Sequence, residues 1–186
     1  MYQPELIDQA LSLLNKKLKR EEITVELTIL GSMALYYHGI AATHLTGDID
    51  FYENKLPERV EALFLEVAEE LNLVSDWINN RSSTISPLPD GYELRLKKIN
   101  TFSHIGLQLI AREDLVKLKV YAYYNRMANK DMEDLKLLNP SIELIGAGIK
   151  FIELQITHHH GTDELKKHLK NIKEFREHLY AEFSKI

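Results

Sequence analysis

The sequence predicts an α/β (α+β) fold, in which a mixed sheet with flanking helices is followed by a C-terminal helical bundle. Up to about residue 110, segments with apolar residues at every second position alternate with segments of helical period, and beyond it helical periods dominate. The 186 residues are 45% apolar and 27% charged, which suits an ordinary globular core. We therefore expect an α/β core over residues 1–110 and a helical region over residues 111–186 that packs on it.

The composition excludes several classes of site. The chain has no Cys, which excludes disulfide frameworks, thiolate zinc sites, iron–sulfur clusters and cysteine nucleophiles. Its formal net charge of -5 provides no overall positive field for a nucleic acid backbone. A metal site in this chain must therefore use carboxylates or His.

The longest stretch without charged side chains, residues 27–47, has the length of a membrane span but not its pattern. His, Thr, Tyr and Gly interrupt it, and its period changes halfway, as in a buried strand followed by a turn and a helix. The N-terminus has no basic segment followed by an apolar one, as a signal peptide would. We expect a cytoplasmic protein with no membrane partner.

The first half of the chain predicts alternating helices and strands. Residues 4–20 carry apolar residues at helical spacing and end in basic residues, which predicts a helix. Residues 23–29 alternate in polarity, which predicts a strand. The same two patterns then predict a short helix, a strand and a longer helix, over residues 33–38, 48–53 and 57–71.

The second half begins with the least regular stretch. Residues 73–78 favour a strand, and residues 79–91, rich in Ser and Pro, predict a loop that would act as a mobile lid. Alternation then predicts two strands, over residues 92–97 and 105–109. Helical periods predict four helices, which start near Arg112, Lys130, Ser141 and Thr162.

The most informative stretch is residues 31–52, GSMALYYHGIAATHLTGDIDFY. On a strand, Asp48 and Asp50 project to the same face, about 7 Å apart along the chain. Two such carboxylates repel each other unless a cation or a proton lies between them, and hard oxygen ligands suit Mg²⁺ or Mn²⁺ holding a triphosphate. Upstream, Gly31 lets a phosphate approach backbone N–H groups at a helix start, and Ser32 adds a hydroxyl donor.

A glycine-serine helix start followed by a D-x-D strand resembles the nucleotidyltransferase superfamily, whose fold is that of DNA polymerase beta. The motifs GSMALYYHG and THLTGDIDFY are similar to those of small bacterial nucleotidyltransferases of the DUF6036 and AbiEii-toxin kind. The later stretches DGYELRLKKI and LQLIAREDLVKLKVYAYYNRMANKDMEDLKLL extend the resemblance to about residues 23–138. It implies a nucleotidyltransferase-type fold.

The resemblance also implies a metal-dependent enzyme that moves a nucleotidyl group from an NTP to a protein or RNA hydroxyl. Asp48 and Asp50 would be catalytic and would hold Mg²⁺ or Mn²⁺. Superfamily members place a third carboxylate on a later strand beside the D-x-D strand; Glu93 is the candidate, and an exposed strand Glu is the alternative. The residues that would bind the nucleotide are Gly31, Ser32, Thr46, Lys119, Arg126, Lys130 and Asp131.

Helical spacing supports part of this set and leaves alternatives open. Lys119 and Arg126 lie seven residues apart with Ala122 between them, so both cations share a helix face and can point at phosphates. A salt bridge to an Asp or Glu of the same helix is the alternative, with Glu133 and Asp134 close in sequence. Lys130 and Asp134 have the spacing of a surface ion pair, which is as good an explanation as a functional one.

The implied partners are an NTP and either an antitoxin protein, if the chain is the toxin of a toxin–antitoxin pair, or a tRNA acceptor. A homodimer is left open. The rival hypothesis is a catalytically inactive module of the same fold that binds a nucleotide or a protein partner. Trp77 is expected in the core, and residues 158–160, three consecutive His, are expected in a turn.

Overall fold

The structure is a computed structural model, and it describes residues 4–40, 48–53, 55–81, 87–99, 102–159 and 162–184. The chain divides into two compact units, one of residues 1–85 and 92–111 and the other of residues 86–91 and 112–186. The first unit contains the strands, and the second is helical. The predicted α+β fold class is confirmed.

In the described part of the first unit the elements are, in chain order, α1 (Pro4–Arg20), β1 (Val25–Ile29), α2 (Gly31–Tyr37), β2 (Ile49–Asp50), α3 (Glu58–Leu71), β3 (Ile78–Asn79), a 3₁₀ helix (Tyr92–Arg95), β4 (Lys97–Ile99) and β5 (Ile105–Leu109). Those of the second unit are α4 (Arg112–Arg126), α5 (Asn129–Leu138), α6 (Ile142–His159) and α7 (Thr162–Phe183).

The strands of the first unit are arranged around β1. On one side, β1 pairs in parallel with β5, which pairs antiparallel with β4. On the other side, β2 runs antiparallel to β1 through a bridge between Ile29 and Phe51, and the Leu30 N–H donates to the Asp50 carbonyl at 2.9 Å. β2 then pairs in parallel with β3, so that Asp50 lies opposite Asn79. This order places the D-x-D strand between β1 and β3.

The core of the first unit is built from the buried faces of the strands and of α1 and α3. Phe51, which directly follows β2, contacts Phe64 of α3 edge to face, with 6.1 Å between ring centroids, and Phe64 contacts Trp77 in the same way at 6.4 Å. Trp77 is fully buried, as predicted, and its indole N–H donates to the Phe64 carbonyl at 2.9 Å. Because the apolar contacts and the hydrogen bond fix Trp77, the residues that follow it enter β3 in a defined position.

The strand predicted over residues 92–97 is wrong for most of its length. Tyr92–Arg95 forms a 3₁₀ helix, and the strand starts only at Lys97. Gly91, directly before it, has φ +66°, and Leu94 is 91% exposed, so the alternation of apolar residues here does not mark a core face. The strand predicted over residues 73–78 is limited to Ile78–Asn79, and residues 82–86 of the predicted lid lie outside the described residues.

The second unit is a helical assembly in which α4 packs against α5 and α6, and α6 against α7. Gly148 of α6 permits the close approach of α4, because a Cβ built there would lie 2.9 Å from the side chain of Val120. The backbone of α6 continues in helical form through His159, so the turn predicted at residues 158–160 is wrong for the two that are described. Among the helices that the structure describes, none combines the length and the apolar character needed to cross a bilayer.

Candidate functional site

Asp48, directly before β2, and Asp50, its last residue, lie on the face of the strand that is turned away from the core. Ile49 is fully buried and Phe51 is 3% exposed, whereas both aspartates are partly exposed. This alternation of burial is the one expected for a strand with one face in the core. The two carboxylates therefore share a face, as the D-x-D spacing predicts.

Gly31 lies directly against the Asp50 carboxylate. The chain reverses from β1 into α2 at this residue, which has φ +62°, a value that L side chains rarely adopt. A Cβ built on Gly31 would lie 2.5 Å from Asp50 Oδ2, closer than any ordinary contact. Glycine is thus required both by the backbone conformation and by the carboxylate beside it, and Ser32, 6% exposed, follows in the first turn of α2.

Asn79 is a site residue that the sequence reasoning missed. Its position on β3 is opposite Asp50, and its Nδ2 donates to Asp48 Oδ2 at 2.9 Å and to the Asp76 carbonyl at 3.2 Å. Its Oδ1 accepts from the Arg81 N–H at 3.1 Å. A signal was present in the sequence, because a helix between two strands makes a parallel crossover, which brings the strand after α3 next to β2.

Glu93, the candidate third carboxylate, is an exposed residue of the 3₁₀ helix and does not lie on a strand beside β2. Its neighbour Tyr92 contacts Tyr52, two residues beyond Asp50, with 5.8 Å between ring centroids. Burial raises the pKa of the Tyr92 hydroxyl, and the negative charge of Glu93 adds to the effect. The 3₁₀ helix therefore lies near the end of the D-x-D strand, but the strand beside β2 carries Asn79.

Glu53, three residues after Asp50, provides a hydrogen-bond acceptor for β1 beyond the end of β2. Both of its carboxylate oxygens accept from the Thr28 N–H, at 3.0 and 2.9 Å. The carboxylate takes the place of a backbone carbonyl in the ladder. Its role is therefore structural.

The predicted residues of the second unit form ion pairs at the junction of α4 and α5. Lys119 Nζ lies 2.5 Å from Asp134 Oδ2, and the two side chains are 9% and 2% exposed. Arg126 donates from Nε and one terminal nitrogen to the Asp131 carboxylate, at 3.1 and 2.7 Å. These pairs correspond to the salt-bridge alternative, although the acids belong to the next helix. Lys130 is exposed at the start of α5, and the binding of nucleotide by these four residues remains a prediction.

The donor set of Asp48 and Asp50 fits Mg²⁺ or Mn²⁺. Both side chains offer hard carboxylate oxygens, and the position that a Cβ would fill at Gly31 is adjacent to one of them. Within the described ranges, no cluster of three His, Asp or Glu side chains suited to a metal ion is present. Thr46 belongs to residues 41–47, which lie outside those ranges.

Comparison with known proteins supports the class of the domain. A family model described as a nucleotidyltransferase of unknown function, DUF6036, matches residues 5–147, which include β1, α2, β2, β3 and the α4–α5 junction. Searches among curated proteins and among solved structures give no match. The match to the family model covers well over half of the chain, and the chain therefore belongs to the DUF6036 family of nucleotidyltransferases.

Proposed function

We propose that this protein is a metal-dependent nucleotidyltransferase that moves a nucleotidyl group from an NTP to a hydroxyl group of a protein or an RNA. The observation that carries the proposal is the approach of Gly31 to the Asp50 carboxylate, with Asp48 on the same face. It supports the proposal because two carboxylates, the oxygen ligands that Mg²⁺ prefers, lie next to a helix start, where backbone N–H groups suit a phosphate. Membership of a nucleotidyltransferase family supports the reaction class.

Each residue of the site has a defined task in this proposal. Asp48 and Asp50 hold the divalent cation, which, when bound, neutralises triphosphate charge and orients the phosphates. Gly31, without a side chain, brings the backbone at the helix start next to the Asp50 carboxylate, where the cation would hold a phosphate, and Ser32 and Thr46 contribute hydroxyl groups. The acceptor oxygen bonds to the α-phosphorus while the bond from that phosphorus to the bridging oxygen breaks, and pyrophosphate leaves. The acceptor proton passes to Asp50 or Glu93.

A specific observation favours the second candidate, a module that binds a nucleotide without transferring it. On the strand beside β2, where superfamily members have a third carboxylate, this chain has the neutral amide of Asn79. An amide does not accept a proton near neutral pH, so the strand beside β2 supplies no general base. Binding without transfer is therefore a distinct, measurable outcome.

The test is incubation of the protein with each of the four NTPs, labelled at the α-phosphate, with Mg²⁺ or Mn²⁺ and with tRNA or cellular protein as acceptor. The proposal predicts transfer of label by the parent and none by Asp48→Asn/Asp50→Asn. Glu58→Gln/Glu61→Gln removes two exposed acids of α3 in the same unit and serves as the matched control. Retained nucleotide binding without label would select the binding module, and absence of both would exclude the proposal.

The cellular role that we propose is that of a cytoplasmic toxin, because loss of a hydroxyl on tRNA or on an essential protein would stop growth. An antitoxin protein would then be the natural partner. Induced expression of the parent should arrest growth, and expression of Asp48→Asn/Asp50→Asn at the same level should not. Equal growth of cells that express either protein would remove the toxin role and leave the chemistry open.

A further inference from the structure

We infer that Asn79 positions Asp48 so that the site takes up its divalent cation together with the nucleotide rather than before it. This inference rests on the proposed function and adds a binding order to it. The supporting observation is the hydrogen bond of 2.9 Å from Asn79 Nδ2 to Asp48 Oδ2, on the strand that pairs with β2.

The orientation of the Asn79 amide is fixed by the groups around it. The Arg81 N–H can only donate, and it meets Oδ1 at 3.1 Å. The Asp76 carbonyl and the Asp48 carboxylate can only accept, and both meet Nδ2. In the opposite orientation, the amide N–H groups would face the Arg81 N–H, and the amide oxygen would face the Asp76 and Asp48 oxygens. The amide therefore presents N–H groups, and not oxygen, to the metal-ligating face.

This arrangement limits what the residue at position 79 can give to a cation. An N–H group does not coordinate Mg²⁺ or Mn²⁺, and Asn79 Oδ1 is directed to the Arg81 backbone. One oxygen of Asp48 also accepts a hydrogen bond from the amide, so fewer of its lone pairs are available to a cation. Mg²⁺ held by only one or two carboxylates completes its octahedron with water and substrate phosphates. The triphosphate is then part of the binding site for the cation, and each ligand should strengthen the binding of the other.

A purely structural role for Asn79 is the competing explanation, because the same amide links Asp76, which precedes β3, to Arg81, which follows it. The two explanations differ in what they predict for metal binding. Loss of a purely structural contact lowers the stability of the fold but leaves the affinity of the folded protein for a cation as in the parent. A residue that sets the binding order changes that affinity, and an acid at position 79 would supply the missing oxygen ligand.

The experiment is a titration with Mn²⁺, followed by the EPR signal of free Mn²⁺, with and without a non-hydrolysable NTP analogue; the Mn²⁺ that the analogue binds in a protein-free titration is subtracted. For the parent we expect the analogue to raise Mn²⁺ affinity by about tenfold or more. For Asn79→Asp we expect a lower melting temperature without metal, since the new carboxylate faces two acceptors, and about tenfold tighter binding of Mn²⁺ alone. Asn80→Asp places the same charge one residue further, where the Asn80 amide donates to the Glu53 carbonyl, and should leave Mn²⁺ affinity as in the parent.

The outcomes separate the inference from the proposed function. If the parent binds Mn²⁺ equally well with and without the analogue, or if Asn79→Asp and Asn80→Asp bind it alike, the inference is wrong. If the parent binds no Mn²⁺ even with the analogue, both the inference and the proposed function are wrong.

Should Asn79→Asp not fold, Asn79→Ala tests the same point, because Asp48 then loses the hydrogen bond that positions it and no charge is added. We then expect weaker binding of Mn²⁺ with the analogue than in the parent, and unchanged affinity would overturn the inference.

Discussion

Replacement of Gly31 by alanine tests whether the approach of the backbone to Asp50 serves ligand binding. The backbone at this residue has φ +62°, and holding an L side chain there costs about 1–2 kcal/mol. The new Cβ would lie 2.5 Å from Asp50 Oδ2, so the carboxylate must rotate away by about 1 Å to reach an ordinary contact. We expect the free energy of unfolding to fall by about 1–2 kcal/mol and the affinity for Mn²⁺ with an NTP analogue to fall by about tenfold or more.

Gly39 at the other end of α2 is the matched control. It has φ +73°, but a Cβ built there has no atom within 4 Å. Gly39→Ala should therefore lower stability by a similar amount in urea unfolding and leave ligand affinity as in the parent. If both variants bind Mn²⁺ and the analogue equally well, the displacement of Asp50 has no effect and the reasoning fails.

The remaining predictions concern ion pairs. Lys119→Met leaves the buried Asp134 carboxylate without its ion-pair partner and should lower the free energy of unfolding, measured in urea, by about 3–5 kcal/mol. The double variant Lys119→Met/Asp134→Leu should recover most of this loss. Equal stability of the parent and the single variant would contradict this prediction. Hydrogen bonds from Arg59 lower the pKa of the Glu21 carboxyl, so the stability that this pair contributes is present above the ordinary carboxyl range and is lost as the pH falls through the lowered pKa. Thermal unfolding of Arg59→Ala and the parent should thus differ at neutral pH and converge in acid, and a constant difference would refute the assignment.

The pattern of apolar residues predicted the parts of the fold that have one face in the core. The strand over residues 23–29 and the D-x-D strand were recognised because Leu27, Ile29 and Ile49 are fully buried at alternate positions. The same rule failed for residues 92–97, because the apolar residues that alternate there do not face a core. Leu94 is exposed. Short strands such as Ile78–Asn79 leave too few residues for a period to be detected.

The candidate site was predictable only where a local motif carries it. Gly31 and Asp50 belong to one local motif, a glycine at a helix start followed by a D-x-D strand, but the contact of Asn79 with Asp48 depends on the register of two strands far apart in sequence. Helical spacing could not identify the partner of Lys119, because Asp134 belongs to another helix. Tertiary pairing of this kind is absent from any local pattern.

The most direct test of the central claim is isothermal titration of the protein with a non-hydrolysable NTP analogue in Mg²⁺. The account predicts that the parent binds the analogue, that omission of Mg²⁺ weakens binding, and that Asp48→Asn/Asp50→Asn lowers the affinity by about tenfold or more while its urea unfolding remains cooperative. Equal affinity of the folded double variant and the parent would contradict the assignment of Asp48 and Asp50 as the metal and nucleotide site.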